Sequence, residues 1–109
     1  EKAAAAGFDW QKKEDIWDKV KEEIGEVETE MRGGDKERME GELGDLFFAL
    51  VNACRLYGVD PENALERTNE KFMRRFAHVE KRVAEKDKMM NEVPLEELEE
   101  YWQEAKNSD

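Results

Sequence analysis

Apolar residues recur along this chain at spacings of three and four, the period of a helix face, and no stretch alternates with period two over a useful length. Four helices and no strands are therefore expected. The first is predicted from about Glu14 to Arg32, where Ile16, Val20, Ile24, Val27 and Met31 form a stripe that Gly33-Gly34 ends. Ahead of it, Phe8-Asp9-Trp10 reads as a short capped turn. The second is predicted from about Asp35 to Tyr57. Met39, Leu43, Leu46, Leu50, Cys54 and Tyr57 line one side, Phe47 and Val51 widen it, and Phe48, Ala49 and Leu56 lie on the other. A helix apolar around most of its circumference is expected to be buried around most of it, as a central helix, at a dimer interface, or as both. The third starts with Asp60 as N-cap and Pro61 at the first helical position, and carries a stripe of Leu65, Thr68, Phe72, Phe76, Val79 and Val83. It fades near Lys86 to Met89. The fourth starts at Pro94, with Leu95, Leu98, Trp102 and Ala105 on one face. Short connections predict antiparallel neighbours.

Length and charge narrow the reading. A chain of 109 residues fits one domain, marginal enough in size to make self-association worth expecting. Its 29 acids against 18 Lys and Arg give a formal net charge of -11. That opposes binding to a nucleic-acid backbone, which needs a basic face, and to an anionic membrane surface. The longest apolar run, Leu46 to Val51, is far short of the ~20 residues of a membrane span. A single cysteine, Cys54, excludes an internal disulfide and a Cys-based zinc site. Nothing reads as a signal peptide, and a cytoplasmic location is the expectation. The chain opens on Glu-Lys-Ala-Ala-Ala-Ala without an initiator methionine. It is expected to be one domain, residues 1–109, of a longer two-domain protein, with 1–7 and 107–109 flexible.

Most acids here are solvated helix charge, but a few are placed otherwise. At about 100° per residue, Glu23 and Glu30 fall on the edge of the first helix's stripe, Glu26 shares that flank, and Glu22 points further toward solvent. On the second helix Glu42 flanks the main stripe, and Asp45 lies in line with Phe48, Ala49 and Asn52. Asp45, just before an apolar run, is expected to be partly desolvated. Glu23 with Glu26, and Glu42 with Asp45, are i, i+3 pairs, each projecting to one side of its helix. Two such pairs facing each other make an oxygen-rich site suited to Mg²⁺ or Mn²⁺. Gly25, Gly41 and Gly44 beside them suggest close approach by another backbone or a ligand. Periodicity alone leaves a second reading standing, in which these acids are half-exposed charges or partners in dimer ion pairs. A di-iron bundle fails, because it needs Glu-x-x-His and Arg75 stands three residues before His78, the one histidine.

The third helix carries a basic ridge of Lys71, Arg75, His78 and Arg82. By itself such a ridge reads as ordinary ion pairing. Beside an acidic metal site it would bind phosphate, with Arg75 forking onto oxygens and Lys71 as a point charge. His78 reads as structural or exposed rather than catalytic. Each tryptophan reads first as packing, with Trp102 the best placed to meet a ligand.

Glu22-Glu23-Ile24-Gly25-Glu26 followed by Glu42-Leu43-Gly44-Asp45 resembles the EExxE…ExxD signature of MazG-type nucleoside triphosphate pyrophosphohydrolases. Lys71-Phe72-Met73-Arg74-Arg75-Phe76, Gly58-Val59-Asp60-Pro61 and Trp102-Gln103-Glu104-Ala105-Lys106 fit the same family. The resemblance spans about residues 8 to 106 and is closest to the C-terminal domain of a tandem-domain MazG. It implies an all-α, four-helix-type bundle, dimeric or paired with a companion N-terminal domain. It implies Mg²⁺-dependent hydrolysis of an NTP or dNTP between the α and β phosphates, to the monophosphate and pyrophosphate. Glu23, Glu26, Glu42 and Asp45 would be metal ligands and catalytic. Lys71 and Arg75 would touch phosphates, Trp102 and Lys106 would help bind the nucleotide, and Glu22 would be an accessory acid. The alternative is a helical dimerisation or regulatory module that binds nucleotide without cleaving it.

Overall fold

A computed structural model describes residues 2–109. Glu1, part of the N-terminal stretch expected to be flexible, lies outside the described residues. The chain is all-α. Its helices are α1 (Lys2–Ala5), α2 (Ile16–Gly33), α3 (Lys36–Leu56), α4 (Pro61–Ala84) and α5 (Leu95–Asn107), and no strand occurs among the described residues. Two 3₁₀ turns, Lys13–Asp15 and Met90–Glu92, lead into α2 and precede α5. Among the described residues, no helix is long and apolar enough to cross a membrane. The structure divides into two compact units, Glu1–Pro61 and Glu62–Asp109.

In the first unit α2 and α3 pack together as a helical hairpin. The hairpin is possible because α2 stops abruptly. Gly34 takes φ 73° and its N–H bonds back to the Glu30 carbonyl, a left-handed cap that glycine adopts without steric cost. Asp35 follows at once and starts α3. Its Oδ1 accepts from the backbone N–H groups of Glu37 at 3.1 Å and Arg38 at 3.2 Å. Asp35→Ala leaves those donors without a side-chain acceptor and is expected to cost about 1 kcal/mol of stability, read as a lower urea midpoint. α3 ends in a Schellman motif. The Val59 N–H bonds to the Cys54 carbonyl and the Gly58 N–H to that of Arg55, around Gly58 at φ 72°. Behind this corner Arg55 grips Asp9 with two guanidinium nitrogens, at 2.8 and 3.1 Å, and Trp17 Nε1 donates to Tyr57 Oη at 3.0 Å. These bonds tie the segment ahead of α2 to the end of α3.

The buried residues of α2 are Ile16, Val20, Glu23 and Val27, one helical stripe with an acid as its third member. On α3 only Ala49 and Ala53 are buried. The expectation of a central helix buried around most of its circumference is therefore corrected. Phe47 and Phe48 are 63% and 70% exposed, and Leu50 and Val51 are also exposed. The physical reason is that a hairpin covers one face of α3, and the small residues Ala49 and Ala53 supply that face. The close backbone approach expected at Gly25, Gly41 and Gly44 is not found either, since a Cβ there would meet nothing within 4 Å.

In the second unit Val79 and Val83 of α4, Val93 and Tyr101 form the core, with Met90, Leu98 and Trp102 packed against it. Phe72 stacks on Phe76 at 6.0 Å and meets Trp102 at 5.4 Å between ring centroids. Tyr101 Oη donates to Glu97, which Lys86 also holds.

Candidate metal centre

The α2–α3 hairpin brings Glu23, Glu26 and Glu42 together. One carboxylate oxygen from each lies within 4.8 Å of the others. Glu23 is 4% exposed, Glu42 is half-buried and Glu26 is exposed. Glu23 thus sits within the apolar stripe rather than at its edge. Buried carboxylates ordinarily find donors, yet Glu23 Oε2 and Glu42 Oε2 are buried without a hydrogen-bond partner among the described residues. Like charge and a hydrogen bond act on the third acid. Its bond to Glu42, then the Glu23 charge, push the Glu26 carboxyl up from 4.5 to about 7. Oxygen donors only, crowded charge and orphaned buried oxygens are what a hard divalent cation relieves. The residues fit such an ion.

Among the described residues, Lys19 is the cation that pairs with this group. Its Nζ lies 2.9 Å from Glu23 Oε1 and 3.0 Å from Glu22 Oε2. Glu23 first, then Glu22, hold the ammonium above its usual range. Lys19 is not among the candidates that motif and charge patterning single out, although its i, i+4 and i, i+3 spacing to these acids is visible in the sequence. Glu22 is exposed, as predicted. Asp45 is exposed too, so the partial desolvation expected of it is not met, and it lies outside the group of three. Its neighbours Phe47 and Phe48 are themselves uncovered and give it no apolar wall.

The crowding sets a pH dependence. In the unfolded chain Glu26 ionises near its ordinary 4.5, and in the folded chain near 7. Between these values the folded state binds the extra proton, so this group's contribution to stability falls as pH rises through that window. In EDTA the chain is expected to melt lower at about pH 8 than at about pH 5, with Mg²⁺ restoring more at the higher pH. Equal melting at both, with no larger Mg²⁺ effect at pH 8, would contradict the crowding.

The basic ridge belongs to the second unit, and most of it is already paired. Arg75 bonds Asp109 through Nε at 2.6 Å, and Arg74 holds the same carboxylate at 3.2 Å. Arg75 first, then Arg74, keep the Asp109 carboxyl below its ordinary value. His78 meets Glu104 at 2.9 Å, and Arg82 bonds Glu104 and Glu85. Lys71 and Lys106 are exposed and make no ion pair among the described residues. Trp102 is half-buried against Phe72, with the Arg75 guanidinium 5.9 Å from its ring centre. Besides Glu85, three residues from Arg82, the acids that pair with the ridge are Glu104 and Asp109, which lie 22 to 34 residues away in sequence, beyond the reach of a helix wheel.

The profile of the MazG nucleotide pyrophosphohydrolase domain matches residues 11–80, which include all three converging carboxylates. The chain belongs to this MazG family. It is similar, at 38% identity over 109 residues, to a Thermotoga maritima protein named nucleoside triphosphate pyrophosphohydrolase/pyrophosphatase MazG, covering 100% of this chain and 42% of that protein. At 46% identity over 110 residues it is similar to the Escherichia coli K12 protein named nucleoside triphosphate pyrophosphohydrolase, covering 99% and 42%. Bacillus subtilis YabN, described as uncharacterized, shares 42% identity over 71 residues, which is 65% of this chain and 14% of YabN. This MazG domain thus spans less than half the length of the curated relatives it matches.

Proposed function

We propose that this chain is a catalytic nucleoside triphosphate pyrophosphohydrolase domain. It hydrolyses an NTP or dNTP between the α and β phosphates, releasing the monophosphate and pyrophosphate. Glu23, Glu26, Glu42 and Asp45 hold Mg²⁺, with Mn²⁺ as a substitute. The observation that carries this reading is the convergence of Glu23, Glu26 and Glu42, with buried oxygens of Glu23 and Glu42 left without donors. Asp45 joins the set by its place in the ExxD motif. Similarity to T. maritima and E. coli proteins named nucleoside triphosphate pyrophosphohydrolase supports the substrate class.

A bound divalent cation supplies positive charge against the triphosphate and a water that gives up its proton more readily. The chain's own residues do the rest. A carboxylate of the cluster, Glu22 or one of the ligand acids, accepts the proton. Lys71 and Arg75 bind the phosphates and balance charge on the departing pyrophosphate. Arg75 takes that role by exchanging the Asp109 carboxylate for a phosphate oxygen. Trp102 offers a ring and Lys106 a point charge to the nucleotide.

The exposed apolar side chains of α3, Phe47, Leu50 and Val51 with Phe48 further round the helix, support a homodimer. The 42% coverage of its relatives supports a place as one domain of a longer protein; an N-terminal companion domain and a cytoplasmic location complete the proposal. Product analysis tests the chemistry. An NTP incubated with Mg²⁺ is expected to yield the monophosphate and pyrophosphate, and nothing in EDTA. A diphosphate and free phosphate would contradict the cleavage position. Nucleotide binding with no product would favour the regulatory module instead.

A further inference from the structure

The proposed cation site contains a cation already. Lys19 reaches from one turn earlier on α2 to Oε1 of Glu23, the most buried of the three converging acids, at 2.9 Å. Glu23 is fixed in two ways. Its place in the stripe of Ile16, Val20 and Val27 sets where the side chain lies, and the ammonium engages one of its two oxygens. The other oxygen, Oε2, stays buried without a donor. A residue that merely oriented a ligand would add affinity, and its loss would weaken metal binding. A positive charge beside the ligand acts the opposite way, because it offsets part of the field that draws the ion in.

We infer that Lys19 is the internal counter-charge of the carboxylate site, a positioning residue that acts through Glu23 and limits how tightly the site holds a divalent cation. The inference rests on the proposed reading that Glu23, Glu26 and Glu42 bind such an ion. Burial already fixes Glu23, so the charge of Lys19 outweighs its orienting bond. A site kept at moderate affinity can exchange its ion together with a triphosphate that carries its own. Glu22 shares the ammonium at 3.0 Å and moderates its effect on Glu23.

The test separates charge from hydrogen bonding. Mn²⁺ binding is measured by electron paramagnetic resonance, and Mg²⁺ binding by calorimetry, on the native chain, Lys19→Gln and Lys19→Arg. Glutamine keeps a donor for Glu23 without the charge, and arginine keeps the charge. Lys19→Gln is expected to bind Mn²⁺ about tenfold more tightly than the native chain, and Lys19→Arg to stay within about threefold of it. Equal or weaker binding by Lys19→Gln would overturn the inference and leave the metal site standing. No binding by the native chain would overturn both. If Lys19→Gln needs the ion to fold, recovery of its helical circular dichroism with millimolar Mn²⁺ supports the inference, and failure to recover overturns it.

Discussion

Glu42→Gln is expected to lower pyrophosphate release by about a hundred- to a thousandfold while raising the melting temperature of the metal-free chain. Both effects have one cause. Glu42 is one of three acids whose oxygens converge within 4.8 Å, and its Oε2 is buried without a donor. Glutamine keeps the shape but removes a charge, so the helices no longer hold three like groups together. Its amide can donate to Glu26, whose carboxyl Glu42 chiefly pushes up to about 7. Glu26 should then titrate nearer its ordinary range, and the fall in stability between about pH 5 and about pH 8 should flatten. The same change takes an anionic oxygen from the proposed metal site. A variant that melts higher yet turns over slowly marks a site whose geometry costs stability for function. Loss of both would mean that Glu42 is a structural acid.

The second large effect is expected at the surface of α3. Phe47 and Phe48 are 63% and 70% exposed beside Leu50 and Val51. About two thirds of each phenylalanine, of a total on the order of 150–250 Å², is left uncovered, and apolar exposure on this scale marks an interaction surface. In the proposed homodimer a second copy covers it. Phe48→Asp places a charge in that interface and is expected to convert a dimer to a monomer in sedimentation analysis, with a lower melting temperature. A native chain that sediments as a monomer at micromolar concentration would remove the dimer from the account.

The helices were legible because their punctuation is chemical and local. Gly33-Gly34-Asp35 must turn and restart, Gly58 must end α3, and Pro61 can only begin a helix. The 3₁₀ turn at Lys13–Asp15 overlaps the expected start of the first helix at about Glu14, because it has the composition of a helical first turn. The carboxylates were legible as pairs, since i, i+3 spacing is fixed by helix geometry. Their relative depth was not. A helix wheel sends an acid to the edge of an apolar stripe, whereas Glu23 occupies the stripe itself at the spacing of Ile16, Val20 and Val27. Asp45 erred in the other direction, because nothing in its own sequence shows that Phe47 and Phe48 are left uncovered. The basic ridge was visible, but its partners Glu104 and Asp109 come from α5 and the residues after it, and only folding brings them near.

Pyrophosphate release from each standard NTP and dNTP, with Mg²⁺ and with EDTA, by the native chain and Glu42→Gln, tests the central claim most directly. A carboxylate metal centre requires release that needs the ion and collapses in a variant with unchanged helical circular dichroism. Release that persists in EDTA, or survives Glu42→Gln at near-native rate, would contradict a carboxylate metal centre on the α2–α3 hairpin.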